Sequence, residues 1–212
     1  MTSTRTLVRR AALTATAATA ALVLAACGGD GGSGSAAPAG KPSSSSAAAD
    51  AHNAQDVTFA QGMIPHHQQA VQMAEMAADR ASSAQVKDLA ARIEKAQAPE
   101  IATMSGWLKT WGEDVPSATG GTDHSGGHSG GSGMAGMMDD KAMDRLMKAS
   151  GKDFDTLFLT MMIEHHEGAV EMATTEKEKG EYGPAGELAD AVVTAQSAEI
   201  REMNKLLGKN AG

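Results

Sequence analysis

The sequence predicts an all-α protein, a four-helix bundle assembled from two duplicated helical hairpins. Three observations lead there. First, the block Phe59-x-x-x-Met63-Ile64-x-His66-His67-x-x-Ala70-Val71-x-Met73-Ala74 recurs 99 residues later as Phe158-x-x-x-Met162-Ile163-x-His165-His166-x-x-Ala169-Val170-x-Met172-Ala173. Second, the same offset carries Ala96, Gln97, Glu100, Ile101, Met104 and Leu108 onto Ala195, Gln196, Glu199, Ile200, Met203 and Leu207, so the copies extend over two helices each. Third, apolar residues recur at three- and four-residue spacing, and no run alternates with the period of two that a strand requires.

The chain begins with a targeting segment. Arg5, Arg9 and Arg10 form a basic start, residues 11–26 are rich in Ala, Thr and Leu, and the stretch closes on Leu24-Ala25-Ala26-Cys27. It is short for a membrane span and ends in small residues, as a cleaved signal peptide does. The Leu-Ala-Ala-Cys ending resembles a bacterial lipobox, which makes Cys27 the lipidated first residue of the mature chain; Arg9-Arg10 is only a poor match to a twin-arginine signal. Cys27 is the sole cysteine, so an exported domain beyond it holds together without internal disulfides. Residues 27–50, mostly Gly, Ser, Ala and Pro, read as a flexible tether. The expected location is the outer face of the bacterial cytoplasmic membrane, reached through the N-terminal lipid.

Residues 51–212 suffice for one packed domain. Three of the 18 basic residues and none of the 26 acidic ones lie in the leader, leaving 15 against 26, a formal net charge of −11. Nucleic acid is therefore excluded as a partner, since it requires a basic surface. The balance suits a domain that meets cations.

Within the domain, repeat 1 spans about 56–111, a connector 112–150 and repeat 2 about 153–208. Asp56 reads as the N-cap of the first helix and Asp155 as its counterpart. The first helix runs from there to about Ala81. A second, from about Ala84 to Trp111, carries Val86, Leu89, Ala90, Ile93, Gln97, Ile101, Met104 and Leu108 on one stripe. Repeat 2 gives a helix from about Phe154 to Lys179 and another from Pro184 to about Leu207. In the connector, residues 117–133 are Gly-rich, and 134–149 suit a short helix with Met143, Leu146 and Met147 on one face. A long connector between hairpins is similar to ferritin-like topology, with a plain up-down bundle as the alternative. Pro65, which repeat 2 replaces with Glu164, is expected to kink the first helix beside the histidines.

Helical phase sorts the motif. At about 100° per residue, Ala70 and Ala74 lie within about 20° of Met63, and His66 and His67 lie roughly 60° and 40° to either side. Gln68, Gln69 and Gln72 face away, as do Glu164, Glu167 and Glu171, and these outward positions are the ones that differ between copies. On the second helix Glu100 falls about 60° from Gln97. A carboxylate near a core needs a partner, and the duplicated Glu100 and Glu199 imply that the partner is duplicated too.

A single inward His and Met would most simply be a hydrogen-bonded imidazole and a gap filler. Four histidines, paired methionines and two glutamates at matching inward positions favour a metal site instead. The candidate ligands are His66, His67, His165, His166, Met63, Met73, Met162 and Met172, with Glu100 and Glu199 either ligating or orienting the imidazoles. Di-iron bundles use Glu-x-x-His; here the pattern is Met-x-x-His, and the thioether shifts preference from iron toward copper, especially Cu(I). In the connector, His124, His128, Met134, Met137 and Met138 form an auxiliary capture cluster or an ordinary low-complexity linker.

At these residues the chain resembles the secreted, often lipid-anchored bacterial proteins of domain-of-unknown-function family 305. The motifs are residues 63–71 (Met-Ile-Pro-His-His-Gln-Gln-Ala-Val), residues 162–170 (Met-Ile-Glu-His-His-Glu-Gly-Ala-Val) and Gly136-Met137-Met138 ahead of the second copy. The resemblance covers about residues 52–207 and implies a ferritin-like bundle in the cell envelope.

The function expected is a copper-binding or copper-buffering envelope lipoprotein. One alternative is a metal-free interaction domain in which His–Glu pairs set bundle register. The other is a ferritin-like metal oxidase, disfavoured by the missing Glu-x-x-His. Whether the paired helices close within one chain or across a homodimer stays open.

Overall fold

The computed structural model describes residues 51–117 and 134–208. Cys27, the tether, His124 and His128 lie outside the described residues. Five helices follow in order: α1 Ala54–Arg80, α2 Ala84–Trp111, α3 Asp140–Lys148, α4 Gly151–Lys179 and α5 Gly183–Leu206. The four long helices form an all-α bundle of two hairpins, α1–α2 and α4–α5, joined chiefly through α1 against α4. The only β pairing among the described residues is an isolated bridge between Ala81 and Gly151.

That bridge and the caps fix the topology. The start of α1 meets the end of α4, where Asn53 Nδ2 donates to the Lys179 carbonyl at 2.8 Å. The end of α1 meets the start of α4 at Ala81 and Gly151. The two helices are therefore antiparallel, and α2 and α4 run the same way. A connection between two helices that run the same way must span the length of the bundle, which accounts for the long segment between Trp111 and α4.

The helix ends correct the sequence reading. The N-cap of α1 is Asn53, whose side chain accepts from Gln55 and Asp56 N–H, while Asp56 reaches back to Asn53 N–H in a capping box. Asp56 thus sits one turn inside the helix, and its carboxylate also accepts from the Glu181 and Tyr182 N–H groups of the α4–α5 turn. Asp155 is likewise inside α4, whose N-cap is Ser150. It accepts from the Ser82 and Ser83 N–H groups of the α1–α2 turn, at 3.1 and 3.0 Å. Each aspartate holds the turn of the other hairpin. Both α1 and α2 continue as helix through a proline, Pro65 and Pro99. Each proline directly precedes a polar residue of the bundle interior, His66 and Glu100.

Helix α3 forms over Asp140–Lys148 only, not from residue 134 as expected, and it buries Ala142 and Leu146, whereas Met147 is 44 % exposed. Nine residues offer too narrow a stripe to bury Met143, Leu146 and Met147 together.

The apolar interior is split in two. One cluster gathers the C-terminal half of α1, the N-terminal halves of α2 and α4, and Met203; it includes Leu89, Ile93, Phe154 and Phe158. The other gathers the N-terminal half of α1 with the C-terminal half of α2, the C-terminal half of α4 and the start of α5; it includes Phe59, Ile64, Leu108 and Val192. Between them lies a layer of buried polar side chains: His66, His67, Gln97, His165, His166 and Gln196.

Candidate metal centre

Three of the four layer histidines have a ring nitrogen tied down. Glu100, on the neighbouring helix of the hairpin, accepts from His67 Nε2 at 2.6 Å. Glu199 accepts from His166 Nε2 at 2.7 Å, the same contact in the other copy. His66 Nε2 lies 3.2 Å from the Ala135 carbonyl of the connector. A carboxylate or carbonyl oxygen only accepts, so each ring carries a proton on Nε2 and turns Nδ1 away from that partner. All three Nδ1 atoms are buried and have no protein partner, and neither nitrogen of His165 has one.

The rings converge. His66 and His165 stand 3.7 Å apart, centroid to centroid, at an interplanar angle of 42°, and His165 lies 6.4 Å from His166. Burial lowers the His66 pKa to about 4; the Ala135 carbonyl opposes the shift, and the neighbouring His67 and His166 add to it. His165 is also held well below the ordinary histidine value, by burial first and then by the other three imidazoles. Both rings are therefore neutral near pH 7, the form that can ligate a metal. Gln97 and Gln196, one turn before Glu100 and Glu199, add two buried carbonyl oxygens without partners.

This is a costly way to fill a bundle, since each buried unsatisfied polar atom forfeits about 1–3 kcal/mol. The pattern of one ring nitrogen held by a carboxylate or carbonyl and the other left bare is how ligating histidines are oriented. Among the described residues no three His, Cys, Asp or Glu side chains form a group that could hold a metal ion.

The methionines separate into two groups. Met63 and Met162 are fully buried and belong to different apolar clusters, so one thioether flanks the layer on each side. Met73 is fully buried in the cluster that also holds Met161 and Met162. Met172 is only half-buried, and its sulfur stands beside Gly62 together with that of Met134. Met137 and Met138 are half-buried on the connector, Met138 packing on the core.

Sequence reasoning missed the connector strap of residues 134–138. Gln69 Nε2 donates to the Met138 carbonyl at 2.9 Å, and the Met138 N–H donates to Gln69 Oε1 at 2.8 Å. Gln69 therefore does not simply face away; it clamps the strap. Gly136 has φ 78° and lies against the Glu164 and His165 carbonyls, where a Cβ would clash. A Cβ on Gly168 would overlap the Ala135 carbonyl. These two glycines let the strap settle onto α4 and deliver the Ala135 carbonyl to His66. The signal was present in the repeat: Gln69 and Gly168 are equivalent positions that differ.

The fold and the doubled motif have counterparts among known proteins. A DUF305 protein from Streptomyces coelicolor, named for its suspected secretion, is 36 % identical over 76 % of this chain and 94 % of its own, with a TM-score of 0.63. CopM in its Cu(I)-bound form is 34 % identical over 74 % of this chain and 98 % of its own, with a TM-score of 0.59. CopM has also been solved with Cu(II) and with silver. A DUF305 fragment from Deinococcus radiodurans is 29 % identical over 74 % and 97 % of the two chains, with a TM-score of 0.63. No curated protein matches. The domain of unknown function DUF305 matches residues 56–207; spanning both hairpins and the strap between them, that match makes this chain a member of the DUF305 family.

Proposed function

We infer that the protein binds a soft monovalent metal, Cu(I) or the chemically similar Ag(I), in the polar layer of the bundle, as an envelope protein that buffers, stores or delivers copper. The observation that carries this reading is the set of buried, partnerless imidazole nitrogens facing one another while Glu100, Glu199 and the Ala135 carbonyl hold the opposite nitrogens. Ring nitrogens from a pair among His66, His67, His165 and His166 would supply the imidazole donors, with Met63 and Met162 as the thioethers. Glu100 and Glu199 would act by aiming the rings. Binding of Cu(I) and Ag by the similar CopM supports the same direction. The signal segment with Cys27 and the suspected secretion of the Streptomyces relative support export and lipid anchoring. No described helix is long and apolar enough to cross a membrane.

The test compares Cu(I) affinity, by competition with a chromophoric chelator, of the native protein and the His66→Ala/His165→Ala variant. Affinity should fall by more than about 100-fold, and Glu100→Gln/Glu199→Gln should cost about 10–100-fold. The metal-free variant should unfold at no lower a temperature, because it loses partnerless polar groups. Equal copper affinity in both forms would remove the core site. The metal-free reading, favoured only by the two His–Glu contacts, instead requires that thermal stability ignore added copper and chelators alike.

A further inference from the structure

The two copies differ at one point where chemistry gathers outside the histidine layer. Position 161 of repeat 2 is a methionine, 5 % exposed, packed in one apolar cluster with fully buried Met73. The pair related to it by the 99-residue offset, with the copies exchanged, is Gly62 and Met172. Gly62 leaves open the space that Met161 fills, and the strap brings a second sulfur to it. A Cβ placed on Gly62 would stand 3.6 Å from Met134 Sδ and 3.6 Å from Met172 Sδ. Met134 is 38 % exposed and Met172 half-buried, so this sulfur pair faces solvent where its counterpart is sealed.

We propose that Met134 and Met172 form an outer thioether site for a soft monovalent cation, Cu(I) or Ag(I), over Gly62. Two neutral thioethers discriminate against the hard cations that an acidic surface attracts, and they select d10 monovalent ions. Packing alone accounts poorly for the arrangement, because a side chain at position 62 would fill the gap as Met161 does in repeat 2. The site sits one helical turn from His66, and Ala135, whose carbonyl holds His66, directly follows Met134. It is therefore an outer station beside the centre. The proposal rests on the soft-metal reading of the protein but not on the histidines.

The experiment is Ag(I) titration of the full chain carrying 13C-methyl methionine, with the two resonances assigned from Met134→Leu and Met172→Leu. The Met134 and Met172 methyls should shift together within the first equivalents, in the native chain and in His66→Ala/His165→Ala. Gly62→Leu, which fills the space against both sulfurs and leaves the two methionines unchanged, should abolish both shifts. Methyls of Met134 and Met172 that stay in place through the titration overturn the outer site, whatever the layer does. Retention of both shifts in Gly62→Leu overturns it as well. Failure of the layer is read separately, from His67 and His166 ring resonances that do not move.

Discussion

The two hairpins agree at their centre and disagree along their flanks. His67–Glu100 and His166–Glu199 are nearly superimposable contacts of 2.6 and 2.7 Å, and Asp56 and Asp155 each clasp the turn of the opposite hairpin. Gly62 against Met161 and Gln69 against Gly168 break the symmetry. Gly62, Gln69 and Gly168 line the strap, a segment that occurs once. A two-fold bundle with a single strap cannot keep both flanks alike: one helix must grip the strap with Gln69 and the other must make room with Gly168. A further mismatch lies at the hairpin ends. Repeat 1 has Ala77 and Ala81 where repeat 2 has Glu176 and Gly180. There too the glycine makes room, since a Cβ on Gly180 would run into the Glu176 carboxyl.

The largest effect expected from this comparison comes at the two aspartates. Asp56 is fully buried and accepts three backbone N–H bonds, from Asn53, Glu181 and Tyr182. Asp155 holds Ser82 and Ser83 in a more open setting. Removing a buried acceptor strands its donors. Asp56→Ala should cost about 3 kcal/mol and Asp155→Ala about 1–2 kcal/mol, read from urea unfolding midpoints. Equal losses would show that the clasp, not its burial, sets the energy.

Much of this was legible in the sequence. Helix boundaries, the inward stripe and the pairing of His with Glu follow from phase and from an offset that holds over both helices of each copy. Contacts between a helix and a loop were not, because they obey no period. Asp56 looked like an N-cap because it stands just before the apolar run, while Asn53, three residues earlier, does the capping. Gln69 and Gly168 looked like surface drift because phase records direction and not what lies there. Glu176 falls outside the matched motif, and its burial depends on Gly180 four residues on.

Glu176 gives the next effect, through pH. Neither of its oxygens receives a well-formed hydrogen bond from an N–H group. Burial pushes its pKa up to about 8, the adjoining Asp56 carboxylate adds to the rise, and Gln55 opposes it. Burial acts to raise Asp56 too, but the Glu176 hydrogen bond and the backbone N–H groups of Asn53, Tyr182 and Glu181 hold it below its ordinary value. Of the two adjoining carboxyls, Glu176 is therefore the one that holds its proton and Asp56 the one that ionises. A carboxyl whose folded pKa lies above its unfolded one binds more protons when folded, so its contribution to stability falls as pH rises from about 4.5 to about 8. Raising the pH across that window should cost on the order of 2 kcal/mol. Glu176→Gln, which keeps a donor for Asp56 and cannot ionise, should flatten that slope in denaturation curves taken at pH 5, 7 and 9. A slope unchanged in the variant would place the pH response elsewhere.

The smallest effect on global stability, and the most informative about the broken symmetry, belongs to the strap. Gly168→Ala puts a methyl where the Ala135 carbonyl lies, against backbone that cannot rotate aside. The short strap can lift without opening the bundle, so the cost should be confined to its own contacts, about 1 kcal/mol. Gln69→Ala removes both hydrogen bonds to Met138 and should cost about the same. Both variants should raise amide hydrogen exchange at residues 134–138 and leave α2 and α5 protected. They should also free His66 Nε2 from its carbonyl, so the His66 ring resonances should move while those of His67 and His166, held by Glu100 and Glu199, stay. If all four rings move together, the layer is a single coupled unit and the strap belongs to it. If His66 alone moves, the strap addresses one ring of the four, and the asymmetry between the copies is what selects it.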